Sequence, residues 1–153
     1  MSQLTSTSQL SDNITMAKHD PMTIITPIFL ERYNALFRLY RNVPKATLVF
    51  DQNTTSKALC SVELLPNRLT FHTSLSLPSG DTLAEVIAHQ LAHLLAYKID
   101  GSTLHSQSWK KAMERQGYDP VETFNRTRQW CAKPILEHQS MPARSLLSLL
   151  GTS

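Results

Sequence analysis

Residues 86–93 read Val86-Ile87-Ala88-His89-Gln90-Leu91-Ala92-His93, two histidines four positions apart inside an apolar run. On an α-helix, residues at that spacing lie about 40° apart around the axis with Cβ atoms roughly 5–6 Å from each other, so both imidazoles reach one metal ion. Tetrahedral zinc suits such a pair. Catalytic zinc takes three protein ligands and keeps a fourth position open, so a third ligand is sought downstream. His105 is the candidate, because it follows Gly101 and stands just before a new helical pattern that can carry it back over the first helix. The spacing becomes His89-x3-His93-x11-His105. Gln90 stands where the HExxH zinc motif has its general-base glutamate.

The helix that carries the pair is expected over Asp81–Lys98. Thr82 and Glu85 have capping-box spacing, Lys98 suits the negative end of the dipole, and Gly101 ends the element. Leu83, Val86, Ile87, Leu91, Leu94 and Leu95 leave it few polar faces, which predicts a central helix. Downstream, Ser106 caps a helix to about Gln116 with Trp109, Ala112 and Met113 inward and Gly117 as terminator, and a further helix is expected from Val121 to Ala132. Upstream, Ile28, Leu30, Tyr33, Leu36, Phe37, Leu39 and Tyr40 recur at helical spacing from Pro27, and Pro44 closes that element. Ala46–Phe50, Leu59–Leu65 and Leu69–Leu77 read as three short strands, the last two joined through Pro66-Asn67, which predicts a small antiparallel sheet. The fold class is therefore α+β: a three-stranded antiparallel sheet on a central helix with flanking helices. Residues 1–22, rich in Ser, Thr and Gln, read as a flexible arm. Residues 23–137 form the expected domain, and residues 138–153 a tail that docks or stays mobile.

The quoted octapeptide resembles the active-site helix of the SprT-like or Spartan-type zinc metalloproteases. Asp100-Gly101-Ser102-Thr103-Leu104-His105-Ser106-Gln107-Ser108-Trp109-Lys110 resembles that family's third-ligand segment, and Phe29-Leu30-Glu31-Arg32-Tyr33-Asn34-Ala35-Leu36-Phe37 its opening helix. The resemblance implies a zincin-like minimal metalloprotease fold, a Zn2+ cofactor on His89, His93 and His105, a protein or peptide substrate, and a DNA-linked role as one further implication. Two departures stand out: Gln90 replaces the catalytic glutamate, and no four-cysteine zinc ribbon follows, since the chain has only Cys60 and Cys131.

A carboxamide copies the shape of a carboxylate but accepts no proton at neutral pH. Loss of a general base typically costs about 10² to 10⁴ in rate, so the chain should bind zinc and substrate and cleave poorly. Gln90 is read either as native to a pseudoprotease or as a Glu→Gln change made to suppress cleavage. The second origin is favoured, because the replacement is isosteric and the rest of the motif is intact. A non-catalytic zinc-held binding module, and a nucleic-acid binder with a structural zinc, are the competing classes.

Other residues take plainer readings. His19, His72 and His138 read as ordinary polar side chains, Trp109 and Met113 as core, and the basic residues after Gly117 as a solvated face. With 153 residues, 41% hydrophobic and 18% charged, the chain is long enough for one core, and a net charge of +3 permits a nucleic-acid partner without requiring one. Two cysteines without a signal-like segment suggest reduced thiols and a cytoplasmic protein. No apolar run approaches the ~20 residues that span a bilayer. An extended substrate is expected to add to the sheet at the strand around Leu69–Leu75.

Overall fold

The computed structural model describes residues 20–52, 57–73, 75–136 and, for backbone alone, 145–147. The expected arm and tail fall almost wholly outside these residues. The order of elements is α1 (Pro21–Leu39), β1 (Thr47–Asp51), β2 (Cys60–Glu63), β3 (Arg68–His72), α2 (Gly80–Asp100), α3 (Gln107–Arg115), α4 (Pro120–Thr127) and β4 (Ser145–Leu147).

The first helix begins six residues before the expected Pro27. Asp20 caps it by accepting from the Met22 N–H at 3.0 Å, and Pro21 sits at the first helical position, where a missing N–H costs nothing. Pro27 then lies inside the helix. Ile25, Phe29, Tyr33 and Leu36 form its buried stripe.

The central helix matches expectation closely, with one correction at its start. Its cap is Ser79, whose hydroxyl accepts from the Thr82 N–H at 3.3 Å. Glu85 does not close a capping box; it holds Arg126 of α4 at 2.9 and 2.7 Å. At the other end Gly101 takes a left-handed φ of 74° and returns its N–H to the Tyr97 carbonyl, which turns the chain back toward the helix. Every residue from Val86 to Ala96 is buried, so α2 is enclosed on all sides.

The sheet differs from the expected three-stranded antiparallel arrangement in direction and in number. Strand order is β2-β3-β1-β4. β2 and β3 form the expected hairpin, with Asn67 at φ 71° in its turn. β1, however, runs parallel to β3, and β4 adds antiparallel to β1. Apolar alternation assigns each side chain to a face but reads the same in either strand direction. Here Leu48 and Phe50 pair with Leu69 and Phe71, and Val62 and Cys60 pair with those same residues from the other flank. All six enter the core facing α2.

β3, the expected place of substrate addition around Leu69–Leu75, is therefore interior over Arg68–His72, flanked by β1 and β2, and offers no free edge there. The outer flank of β2 is also taken. Residues 130–135 lie along it: the Trp130 carbonyl accepts from Leu59 and Cys60 N–H at 2.9 Å each, Ala132 N–H reaches Cys60 O at 3.0 Å, and Ile135 N–H reaches Val62 O at 2.8 Å. That pairing explains why α4 ends at Thr127, short of the expected Ala132. Ser106, Trp109, Ala112, Met113 and Gly117 behave as expected in and after α3.

Candidate metal centre

His89 and His93 lie one turn apart on α2, and the reversal at Gly101 brings His105 over them just before Ser106 caps α3. The three imidazoles offer donor nitrogens all within 4.8 Å of one another. His105 Nε2 and His89 Nε2 face each other at 3.2 Å, and His93 and His105 have ring centroids 4.7 Å apart. Trp109 backs the cluster. Its ring stands edge-on to His105 at 4.5 Å, and its indole N–H donates to the His89 carbonyl at 3.0 Å.

Two observations test whether the site fits a metal. First, His93 is 1% exposed, yet neither of its ring nitrogens has a hydrogen-bond partner among the described residues. A buried orphan of this kind costs about 1–3 kcal/mol, which a bound ion would offset. Second, all three imidazoles are held neutral. Burial first, then the neighbouring histidines, lowers His93 to about 2; burial and His105 lower His89 to about 3. Burial and the Lys110 charge lower His105. Neutral imidazole is the metal-binding form, and three such nitrogens suit a divalent transition ion such as zinc.

Gln90 is fully buried, and its Nε2 donates to the Cys60 carbonyl on β2 at 2.8 Å. That carbonyl also takes the Ala132 N–H, so one oxygen ties the central helix, the sheet and residues 130–135 together. The Gln90 Oε1 has no partner among the described residues. A cavity of about 400 Å³ opens beside the histidines, bounded by Leu104, Phe124, Arg128, Cys131 and Lys133.

The SprT-like family pattern matches residues 27–129, a span that contains most of α1, the sheet hairpin, the three histidines and α4. This chain belongs to the SprT-like family. Its relatives include Protein SprT of Salmonella newport (strain SL254) and of Salmonella heidelberg (strain SL476), each 39% identical over 82 residues, covering 52% of this chain and 48% of the relative. The chain thus spans about half the length of the curated relatives it matches. In fold, this SprT-like chain resembles the metallopeptidase zymogen abylysin of Pyrococcus abyssi, with a TM-score of 0.51 at 15% identity over 67% of this chain and 90% of that one.

All three ligand positions expected from the SprT-like resemblance converge. Trp109 is core, as expected, and also forms a wall of the site. Phe124 and Thr127 were not singled out from sequence. Phe124 stands edge-on to the His105 ring at 4.7 Å, and the Thr127 hydroxyl lies 2.8 Å from His89 Nδ1. The i, i+4 spacing of Thr123 and Thr127 on the expected helix is a hint of Thr127 that the sequence carries. No helix among the described residues is long and apolar enough to cross a membrane.

Proposed function

We propose that this chain is a zinc-dependent endopeptidase of the SprT-like type, acting on protein substrates and held to slow cleavage by Gln90. The observation that carries the reading is His93, a buried imidazole without hydrogen-bond partners among the described residues that converges with two other neutral imidazoles beside an open cavity. Zinc bound there supplies Lewis acidity toward a scissile carbonyl and toward water. The chain's own residues do the rest. His89, His93 and His105 fix the ion, Trp109 and Phe124 hold the imidazoles in place, and the cavity admits a polypeptide past Leu104. Arg128 and Lys133 at its border give a DNA-associated substrate a cationic rim. What is missing is a proton acceptor: the Gln90 amide neither takes a proton from water nor returns one to the leaving amine.

A second reading has a specific observation of its own. The Gln90 Nε2 donates to the Cys60 carbonyl, a bond that an ionised glutamate cannot make, so the fold uses the amide as an amide. That favours a native pseudoprotease, a zinc-held cleft that binds a partner without cutting it.

The test is cleavage of a panel of unfolded and DNA-bound proteins by zinc-loaded Gln90→Glu protein beside the unaltered chain. Zinc-dependent cleavage by the glutamate form, faster by about 10² to 10⁴, supports the endopeptidase. Silence from both, with zinc shown at the histidines and partner binding retained, supports the binding module.

A further inference from the structure

The fourth helix contributes a group to the site that neither the ligand motif nor the family pattern assigns. Thr127 is fully buried. Its Oγ1 lies 2.7 Å from the Thr123 carbonyl, an acceptor only, so the single hydroxyl proton is directed there. The same Oγ1 lies 2.8 Å from His89 Nδ1. With its proton committed, the hydroxyl can only accept along that second line, and the hydrogen must sit on His89 Nδ1. The lone pair of His89 is then on Nε2, the nitrogen that faces His105 Nε2 at 3.2 Å. The Cys131 thiol also neighbours Thr127, but burial pushes it up to about 12, so it stays a thiol and does not compete for the hydroxyl proton as a thiolate would.

We infer that Thr127 is a positioning residue that fixes the tautomer and ring orientation of His89, presenting Nε2 to the metal through the relay Thr123 C=O, Thr127 Oγ1–H, His89 Nδ1–H. The inference rests on the metal-binding reading given above. Partners of this kind to ligating histidines are worth roughly 10- to 100-fold in metal affinity. A hydroxyl in place of the more usual carboxylate keeps the site free of added negative charge. It also places the control of one ligand on α4, outside the stretch of chain that carries the ligands.

The experiment has two independent readouts. In metal-free protein, long-range imidazole ¹⁵N correlation spectra report the tautomer of each histidine. The unaltered chain should show His89 with its hydrogen on Nδ1, and Thr127→Val should convert it to a mixed or Nε2-protonated form. Zinc affinity, measured by competition with a chromogenic chelator, should fall roughly 10- to 100-fold in Thr127→Val and return in Thr127→Ser. A purely packing role predicts the opposite ranking, because valine keeps the shape of threonine and serine loses its methyl group. An Nε2-protonated His89 in the unaltered metal-free chain overturns the inference even if the valine variant fails to fold. Unchanged affinity in a folded Thr127→Val does the same. Failure of the unaltered chain to bind zinc at all would instead sink the metal reading and leave the tautomer measurement to decide the role of Thr127.

Discussion

His93 and His72 are both shielded from solvent, at 1% and 7% exposure, and the fold treats them in opposite ways. His72 lies on the face of the sheet turned away from α2. Its Nε2 is 3.0 Å from Ser61 Oγ on one neighbouring strand, and its Nδ1 is 3.7 Å from Asp51 Oδ2 on the other. Glu63 and Arg68 pair at 2.9 Å on the same face. Serine, histidine and aspartate thus lie in a row across three strands, an order familiar from hydrolase triads. The His72–Asp51 separation is too long for the hydrogen bond that orients such a histidine, and the row reads as polar packing. His93 has two imidazoles for neighbours and, among the described residues, no hydrogen-bond partner for either nitrogen. Burial alone therefore does not mark a functional histidine. The informative contrast is between a buried ring set between a hydroxyl and a carboxylate and one whose nearest neighbours include two further imidazoles that converge on the same point.

The largest expected effect comes from the partnerless side. Structural zinc in zinc-finger peptides is worth about 10–16 kcal/mol; on the proposed function, removing one imidazole of three in His93→Ala should lose several kcal/mol, on the order of 10³-fold or more in affinity, read by chelator competition. His72→Asn should leave that affinity within about twofold while costing roughly 1–3 kcal/mol of stability for the disturbed polar row. A large loss of zinc from the His72 variant would break the comparison.

Acid sharpens it. His89 and His93 have folded-state values lowered to about 3 and about 2, below their unfolded value of 6.5. In the metal-free protein, the stability that depends on their neutrality is complete above about pH 6.5. It is lost as pH falls, at up to roughly 1.4 kcal/mol per pH unit per histidine. Urea titrations at neutral and mildly acidic pH should show this slope in the metal-free chain. His93→Ala should have a shallower one. The smallest effect is remote from both regions: Ser79→Ala, which removes the cap of α2, should cost about 1 kcal/mol by urea titration and leave zinc affinity unchanged.

Much of this was legible from residues because it depends on local chemistry. The i, i+4 histidines, the left-handed turn at Gly101 and the cap at Ser106 together gather three imidazoles from seventeen consecutive positions, His89 to His105. The hairpin at Pro66-Asn67 is local too. What was not legible depends on pairing at a distance. The parallel partnership of β1 with β3, the fourth strand at 145–147 and the early end of α4 are all set by which chain segment wins a flank of the sheet. The start of α1 differs from the expected one for another reason: Pro27 has the residue type of a helix start, whereas Asp20 and Pro21 supply better capping chemistry six residues upstream. Thr127 shows the same limit within the site itself, since its partner is His89, thirty-eight positions away.

The placement of residues 130–135 against β2 has a consequence for how copies of this chain behave toward one another. An open strand presents a row of unsatisfied N–H and C=O groups that templates pairing with any passing extended segment. In this molecule the N–H groups of Leu59, Cys60 and Leu64 and the carbonyls of Cys60 and Val62 are all engaged by the chain's own backbone. This flank of β2 is therefore withdrawn from intermolecular β-association, and residues of the same 130–135 segment that protects it also line the cavity beside the three histidines.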